Sequence, residues 1–476
     1  MLLVLQMMIK PLLFLFSIAL AGTLPLSHAQ GQEAPNIIYI LMDDAGYGDL
    51  SCYGQKKFQT PNIDRLATEG MKFTQHYAGS TVCAPTRSVL MTGLHTGHTP
   101  NRGNRELKPV GQHPLPADTL TIAESLKAAG YATGAFGKWG LGAPGSEGDP
   151  VNQGFDRFYG YNCQRNAHTY RPTWLYSDLE KVTLDGKTYS HDIIMAECLE
   201  WLNEQAADKT KPFFCYIPTP IPHAAMDVPE DDCGPWRKVF PQFEDKVGKY
   251  GGDTVTNPVA QFAGMMTRLD REVGKVLAVL AEHGIDDNTI VLLSSDNGPH
   301  KEGGHQPDFF DSNGPLTGYK RNLTEGGIRA PLVARWPGKI PAGSVSDHIS
   351  AHWDMFPTFC EIAGTEIPEG LDGISLVSEL KGNSADQTKH QYLYWEFSER
   401  GGKRATRFGP NGKWKAIQLD CLNKKKGPGP IQLFNLEDDI AEKNNLASKF
   451  PERVQEAEKI FEEAHTPSEF WPFIGD

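Results

Sequence analysis

Apolar positions along the chain follow two alternating patterns. Asn36 to Met42 (NIIYILM) is an unbroken apolar, β-branched run, the pattern of a strand buried on both faces. Thr60-Pro61 then opens an amphipathic segment that predicts a helix to about Gly70, with threonine as N-cap and proline in the first turn. Thr119 to Ala129 predicts a second helix, closed by Gly130 and feeding a strand over Tyr131 to Phe136. Helices predicted from His191 to about Ala206 and from about Val259 to His283 lead in the same way into strands at Pro212 to Ile217 and Thr289 to Ser294. This alternation predicts an α/β fold: a large, mostly parallel sheet sandwiched by helices. From about Leu376 the pattern changes to short strands at Tyr392 to Phe397, Trp414 to Gln418 and Ile431 to Leu436, then a charged helix from Pro451 to about Ala464. The expected organisation is a large domain over 30–375 and a smaller α+β subdomain with an antiparallel sheet over 376–476.

Residues 1–29 stand apart. Lys10 is their one charge, Pro11 to Gly22 is apolar, and Ser27-His28-Ala29 supplies small residues at the spacing of a cleavage site. This predicts a signal peptide and an exported protein, periplasmic or secreted, or lysosomal if the source is eukaryotic. No later run is apolar for long enough to predict stable membrane insertion after cleavage. The 476 residues carry 59 acidic against 46 Lys and Arg side chains, a formal charge of −13, which speaks against a nucleic-acid partner.

Polar residues gather where the predicted strands end. Asp43-Asp44 follow the first strand, Gly137-Lys138-Trp139 the second, Pro222-His223 the third and Asp296-Asn297-Gly298 the fourth. In open parallel sheets this carboxyl edge binds ligands. Asp43, Asp44, Asp296 and Asn297 offer hard oxygen donors, which suit Ca²⁺ or Mg²⁺ better than zinc. Thr81 to Arg87 leads into a helical pattern at Ser88, placing Cys83 and Arg87 at an anion-favouring helix N-terminus. By its type alone, Cys83 is open to roles as a thiolate nucleophile or as half of a disulfide.

Cys83-x-Pro85-x-Arg87 resembles the signature of the type I sulfatases, in which the cysteine becomes formylglycine. NIIYILMDD, TPNIDRLATEG, CAPTRSVLMTG, YATGAFGKWGLG, IPH, SSDNG and YKRNLTEGGIRAPLVARWPG resemble that family's blocks in their order. So does the tail, through Asp354-x-Phe356-Pro357-Thr358, Gly412-Lys413-Trp414-Lys415 and Gln432 to Ala447. The resemblance implies an alkaline-phosphatase-like fold and sulfate ester hydrolysis, with a sulfated small molecule or carbohydrate as substrate. It implies one Ca²⁺ held by Asp43, Asp44, Asp296, Asn297 and the modified Cys83, and a formylglycine-generating enzyme as maturation partner. A hydroxyl of the hydrated aldehyde would attack sulfur, and loss of the second hydroxyl's proton would release sulfate. Lys138 and Lys320 match the sulfate-contacting lysines, Arg87 the arginine holding the nucleophile, and His223 the histidine at the ester oxygen, a candidate general acid.

One position departs from the family pattern. Where that pattern has a histidine after Lys-Trp, this chain has Gly140. His168 and His300 are candidates to supply the missing base, with His168 preferred; faster turnover in a Gly140→His variant would show that the missing base limits the rate. Arg165, His300 and Glu302 are candidates for the substrate subsite. Two alternatives stay open: a formylglycine-dependent phosphonate or phosphodiester hydrolase, and a weakly active sulfated-sugar-binding homologue. With Cys83 set aside, Cys52, Cys163, Cys198, Cys215, Cys233, Cys360 and Cys421 allow at most three disulfides.

Overall fold

The computed structural model describes residues 34–251 and 253–474; the predicted signal peptide lies outside them. At its centre Asn36–Met42 runs parallel to Thr289–Ser295 on one side and to Phe213–Pro218 on the other. Ala132–Lys138 and Arg157–Tyr161 extend the parallel run. Beyond Arg157–Tyr161 come Trp174–Ser177 and Glu180–Thr183, both antiparallel. Beyond Thr289–Ser295, Leu332–Arg335 is antiparallel, and Met71–Phe73 and Ser344–Ser346 complete a ten-stranded sheet.

The sheet is sandwiched because alternate side chains of a strand point to opposite faces. Ile38, Ile40 and Met42 join one core with residues of the helices Pro61–Thr68, Ser190–Ala207 and Pro258–Glu282. Ile37, Tyr39 and Leu41 join the other, with residues of Cys83–Thr92, Ile122–Ala128 and Met355–Ala363. All seven residues of the strand are buried, as its unbroken apolar run requires. Each large aliphatic side chain so buried stabilises the fold by roughly 1.5–3 kcal/mol.

Local chemistry moves several boundaries. Thr60 stands at the N-cap, but its hydroxyl accepts from Ser51 N at 3.0 Å instead of capping the helix. The helix predicted from Thr119 starts at Ile122, because Thr121 and Glu124 form a reciprocal capping box. The helix expected from Ser88 begins at Cys83 and ends at Thr92, where Gly93 takes a left-handed conformation.

The tail forms a four-stranded antiparallel sheet of Tyr392–Phe397, Lys403–Phe408, Trp414–Leu419 and Ile431–Asn435. Lys403–Phe408 (KRATRF) had no apolar run to reveal it. One face of this sheet packs on Tyr77, Val89 and Trp353, the other on the helix Pro451–Glu463. The Trp395 indole donates to Ala78 O at 2.9 Å, tying the sheet to the segment that precedes Cys83. All eight cysteines are unpaired, with Cys198 and Cys215 Sγ 3.9 Å apart. Among the described residues no helix is long and apolar enough to cross a membrane.

Candidate active site

In the central register Met42 pairs with Ser295 and Leu41 with Pro218, so the residues after these strands emerge on one edge. Lys138 is the last residue of its own strand. Close approach brings it there: a Cβ on Gly137 would stand 2.1 Å from Pro218 O, a contact open to glycine alone. Asp44 adopts φ 70°, a left-handed conformation held by the bond from its N–H to Asp296 Oδ1 at 3.0 Å.

Cys83 opens its helix at the centre of this group. Its Sγ lies 3.3 Å from Asp43 Oδ1 and 3.6 Å from Lys138 Nζ. Lys138 Nζ donates to Asp43 Oδ2 at 2.5 Å, and Lys320 Nζ to Asp44 Oδ2 at 2.7 Å. Arg87 pairs with Asp296 at 3.0 Å and with Asp43 at 3.7 Å, and also donates to Lys138 O. His223 Nε2 is 3.5 Å from Asp44 Oδ2. Every one of these side chains is buried.

Burial sets the protonation states, and neighbouring charge corrects them. It works against ionised Asp43 and Asp44, yet Lys138 holds Asp43 well below the usual carboxylate range and Lys320 does the same for Asp44. Asp296 is pushed up to about 7 by burial and by Asp43. Burial and Asp43 raise the Cys83 thiol far above its ordinary value, so an unmodified cysteine here is no thiolate at neutral pH. Burial and the lysines keep His223 and His168 neutral, His168 down to about 3.

The donor set fits a hard cation. Asn297 Nδ2 donates to Asp44 Oδ1 at 2.7 Å while its Oδ1, fully buried, has no partner. Asp296 carries the raised carboxyl of a crowded acid group that a cation would relieve. Asp43, Asp44 and Asp296 add oxygens beside that orphaned carbonyl, the chemistry that Ca²⁺ prefers. Asp43, Asp44, Cys83 and His223 bring possible ligand atoms within 4.8 Å of one another.

Above Cys83 opens a pocket of about 330 Å³, and its wall includes His168, His223, Lys320 and Arg165. Arg165 sits at the rim, 64% exposed and paired with Glu106 at 3.1 Å. His300 stands behind His223, fully buried, its Nδ1 accepting from Glu302 N at 3.0 Å. Glu302 pairs with Arg321 at 2.7 Å and approaches Lys320 at 3.9 Å. Neither His300 nor Glu302 is on the pocket wall.

Several wall residues carried no sequence signal. Asn104 Oδ1 accepts from Ala84 N at 3.0 Å and so caps the Cys83 helix from a distance. Glu399, from the C-terminal sheet's first turn, accepts from Asn104 N at 2.8 Å, and Tyr250 comes from the hairpin strand Val247–Tyr250. Position 140 has no free room for a histidine. Gly140 has φ 78°, and its Cβ would meet Gln164 Cγ at 2.9 Å, so a histidine there must displace Gln164 and strain the backbone.

Comparison with known proteins shows the family of the chain. The sulfatase family model matches residues 35–365, and the model for the C-terminal region of N-sulphoglucosamine sulphohydrolase matches residues 318–464. The chain is 33% identical to N-acetylgalactosamine-6-sulfatase of Canis lupus familiaris over 381 residues, 75% of this chain and 68% of that protein. It is 30% identical to arylsulfatase A of Bos taurus over 482 residues, 91% and 88% of the two chains. The crystal structure of Ps i-CgsB in complex with k-i-k-neocarrahexaose superposes with a TM-score of 0.75 at 28% identity, covering 90% of this chain and 92% of that one.

Proposed function

Since the chain belongs to the sulfatase family and is a sulfuric ester hydrolase, we propose that it acts on a sulfated carbohydrate, with formylglycine derived from Cys83 and one Ca²⁺. The observation that carries this reading is the seat of Cys83. It heads a helix on the pocket floor, between Asp43 and Lys138, where its thiol is held protonated. A protonated thiol is a poor nucleophile and a soft donor in a set of hard oxygens. Conversion to the hydrated aldehyde supplies a hydroxyl nucleophile that suits the same set.

Asp43, Asp44, Asp296 and Asn297 would hold the Ca²⁺, which supplies positive charge against the sulfate oxygens. Lys138 and Lys320, both buried and fixed by their aspartates, add fixed cations on the same oxygens. Arg87 locks Asp43 and Asp296 in place through its two ion pairs. His223 faces the pocket; the negative charge of a bound sulfate ester would offset the lysines that keep it neutral, and the protonated ring would then hand a proton to the departing alcohol oxygen, with Lys320 assisting. His168, stacked beside it, takes the proton that the usual histidine would take, since Gly140 has no side chain for it. Export to the periplasm or out of the cell is proposed from residues 1–29, and carbohydrate as substrate is supported by the oligosaccharide in the related structure.

The test has two parts. The tryptic peptide Phe73–Arg87, from protein made with a formylglycine-generating enzyme, should carry the aldehyde; an intact cysteine throughout an active preparation defeats the nucleophile assignment. Purified enzyme should release sulfate from sulfated sugars faster than it cleaves a phosphodiester. The reverse preference would favour a phosphodiesterase.

A further inference from the structure

Gln164 occupies the space left by the missing side chain at position 140. Two backbone bonds lay the segments side by side, Trp139 N to Tyr161 O at 2.9 Å and Gly140 N to Asn162 O at 3.0 Å. Two residues beyond Asn162, Gln164 is 6% exposed and lies on the wall of the pocket that has Cys83 at its floor. A Cβ on Gly140 would fall 2.9 Å from its Cγ and 3.0 Å from its Nε2. That Nε2 is buried without a hydrogen-bond partner. A buried amide N–H left unpaired costs about 1–3 kcal/mol, so a partner is missing from the protein itself.

We propose that Gln164 is a specificity residue that donates to, and accepts from, a free hydroxyl of the sugar ring carrying the sulfate. The inference rests on the sulfatase reading and adds a demand on the substrate. A side-chain amide offers both a donor and an acceptor, which matches a hydroxyl. A sulfate oxygen would use the donor alone and leave the amide carbonyl unmatched. The sulfate end is moreover provided for by Lys138 and Lys320 beside Cys83. Asn104 and Gln112 add two further amides to the same wall, groups suited to hydroxyl recognition. Gly140 is then the condition for this contact, since any Cβ there pushes the amide aside.

The test compares 4-nitrophenyl sulfate, which has no ring hydroxyl, with the sulfated monosaccharide that the parent enzyme hydrolyses fastest. Gln164→Ala should lower kcat/KM for the sugar about tenfold or more, the worth of a hydrogen bond to a hydroxyl, and change the aryl ester less than about threefold. Gly140→Ala should lower the sugar's kcat/KM in the parent and leave it unchanged in the Gln164→Ala background, since the displaced group is already gone. Thermal melting of each variant separates this from unfolding, because the backbone strain introduced by Gly140→Ala lowers the melting temperature in both backgrounds. Equal losses on both esters, no loss on either, or additive effects of the two substitutions would each overturn the proposal. If the parent releases no sulfate from any ester, the sulfatase reading fails and this one with it.

Discussion

His168 lies flat on His223, ring centroids 5.2 Å apart and planes 5° from parallel, and both rings face the pocket above Cys83. His168→Phe keeps an aromatic surface on His223 and removes the ring nitrogens. If His168 moves a proton, His168→Phe and His168→Ala should both lose about 10²-fold or more in kcat, the usual worth of a general base. Near-parent kcat in the phenylalanine variant would reduce His168 to a packing role.

The orphaned carbonyl of Asn297 predicts a cation-dependent stability. Calcium at about 100 times its Kd should stabilise the fold by about 2.7 kcal/mol, read as a rise in melting temperature over a chelator-treated sample. Asn297→Ala should shrink that rise. An unchanged rise would place the cation elsewhere.

Lys415 is fully buried between Glu325 at 2.7 Å and Glu442 at 3.1 Å, where the C-terminal sheet meets the main sheet's loops. Lys415→Met leaves Glu442 without its cation and Glu325 with Arg329 and Tyr77 alone, and should cost about 3–5 kcal/mol by urea unfolding. Glu442, pushed up to about 7 by burial and by Glu325, should tolerate glutamine at neutral pH with a much smaller loss. Equal costs for the two variants would contradict this assignment of charges.

His191 gives a pH dependence away from the site. Burial holds it down to about 3, and neither ring nitrogen has a hydrogen-bond partner. The unfolded chain takes up its proton near pH 6.5 and the folded chain does not, so its contribution is intact above 6.5 and declines as the pH falls toward 3. His191→Leu should therefore flatten the acid slope of unfolding free energy by up to about 1.4 kcal/mol per pH unit. An unaltered slope between about pH 7 and 5 would show that His191 is protonated in the fold.

Much of the central sheet was legible because its strands are buried on both faces and read as apolar runs, as in Asn36–Met42. The peripheral strands were not. Met71–Phe73, Ser344–Ser346 and Lys403–Phe408 are short or charged, and their pairing partners in the fold define them. In the site, Asp43, Asp44, Lys138, His223 and Asp296 could be placed on one edge because each follows or ends a strand. Glu399 lies in a turn and Tyr250 ends a short, mostly polar hairpin strand, neither of which carries such a phase, and His300 follows a strand yet packs behind its neighbour.

The sequence by itself determined the parallel core, the edge on which the acids and bases gather, and the cysteine that heads the helix beside them. These depend on periodicity and on short-range spacing, which side-chain type records directly. Tertiary structure decided which residue fills the space beside Gly140. Gln164 reaches it because two strand ends, Trp139-Gly140 and Tyr161-Asn162, are hydrogen-bonded side by side. Such an occupancy depends on the volume between two backbones, and volume is set by packing and not by residue order.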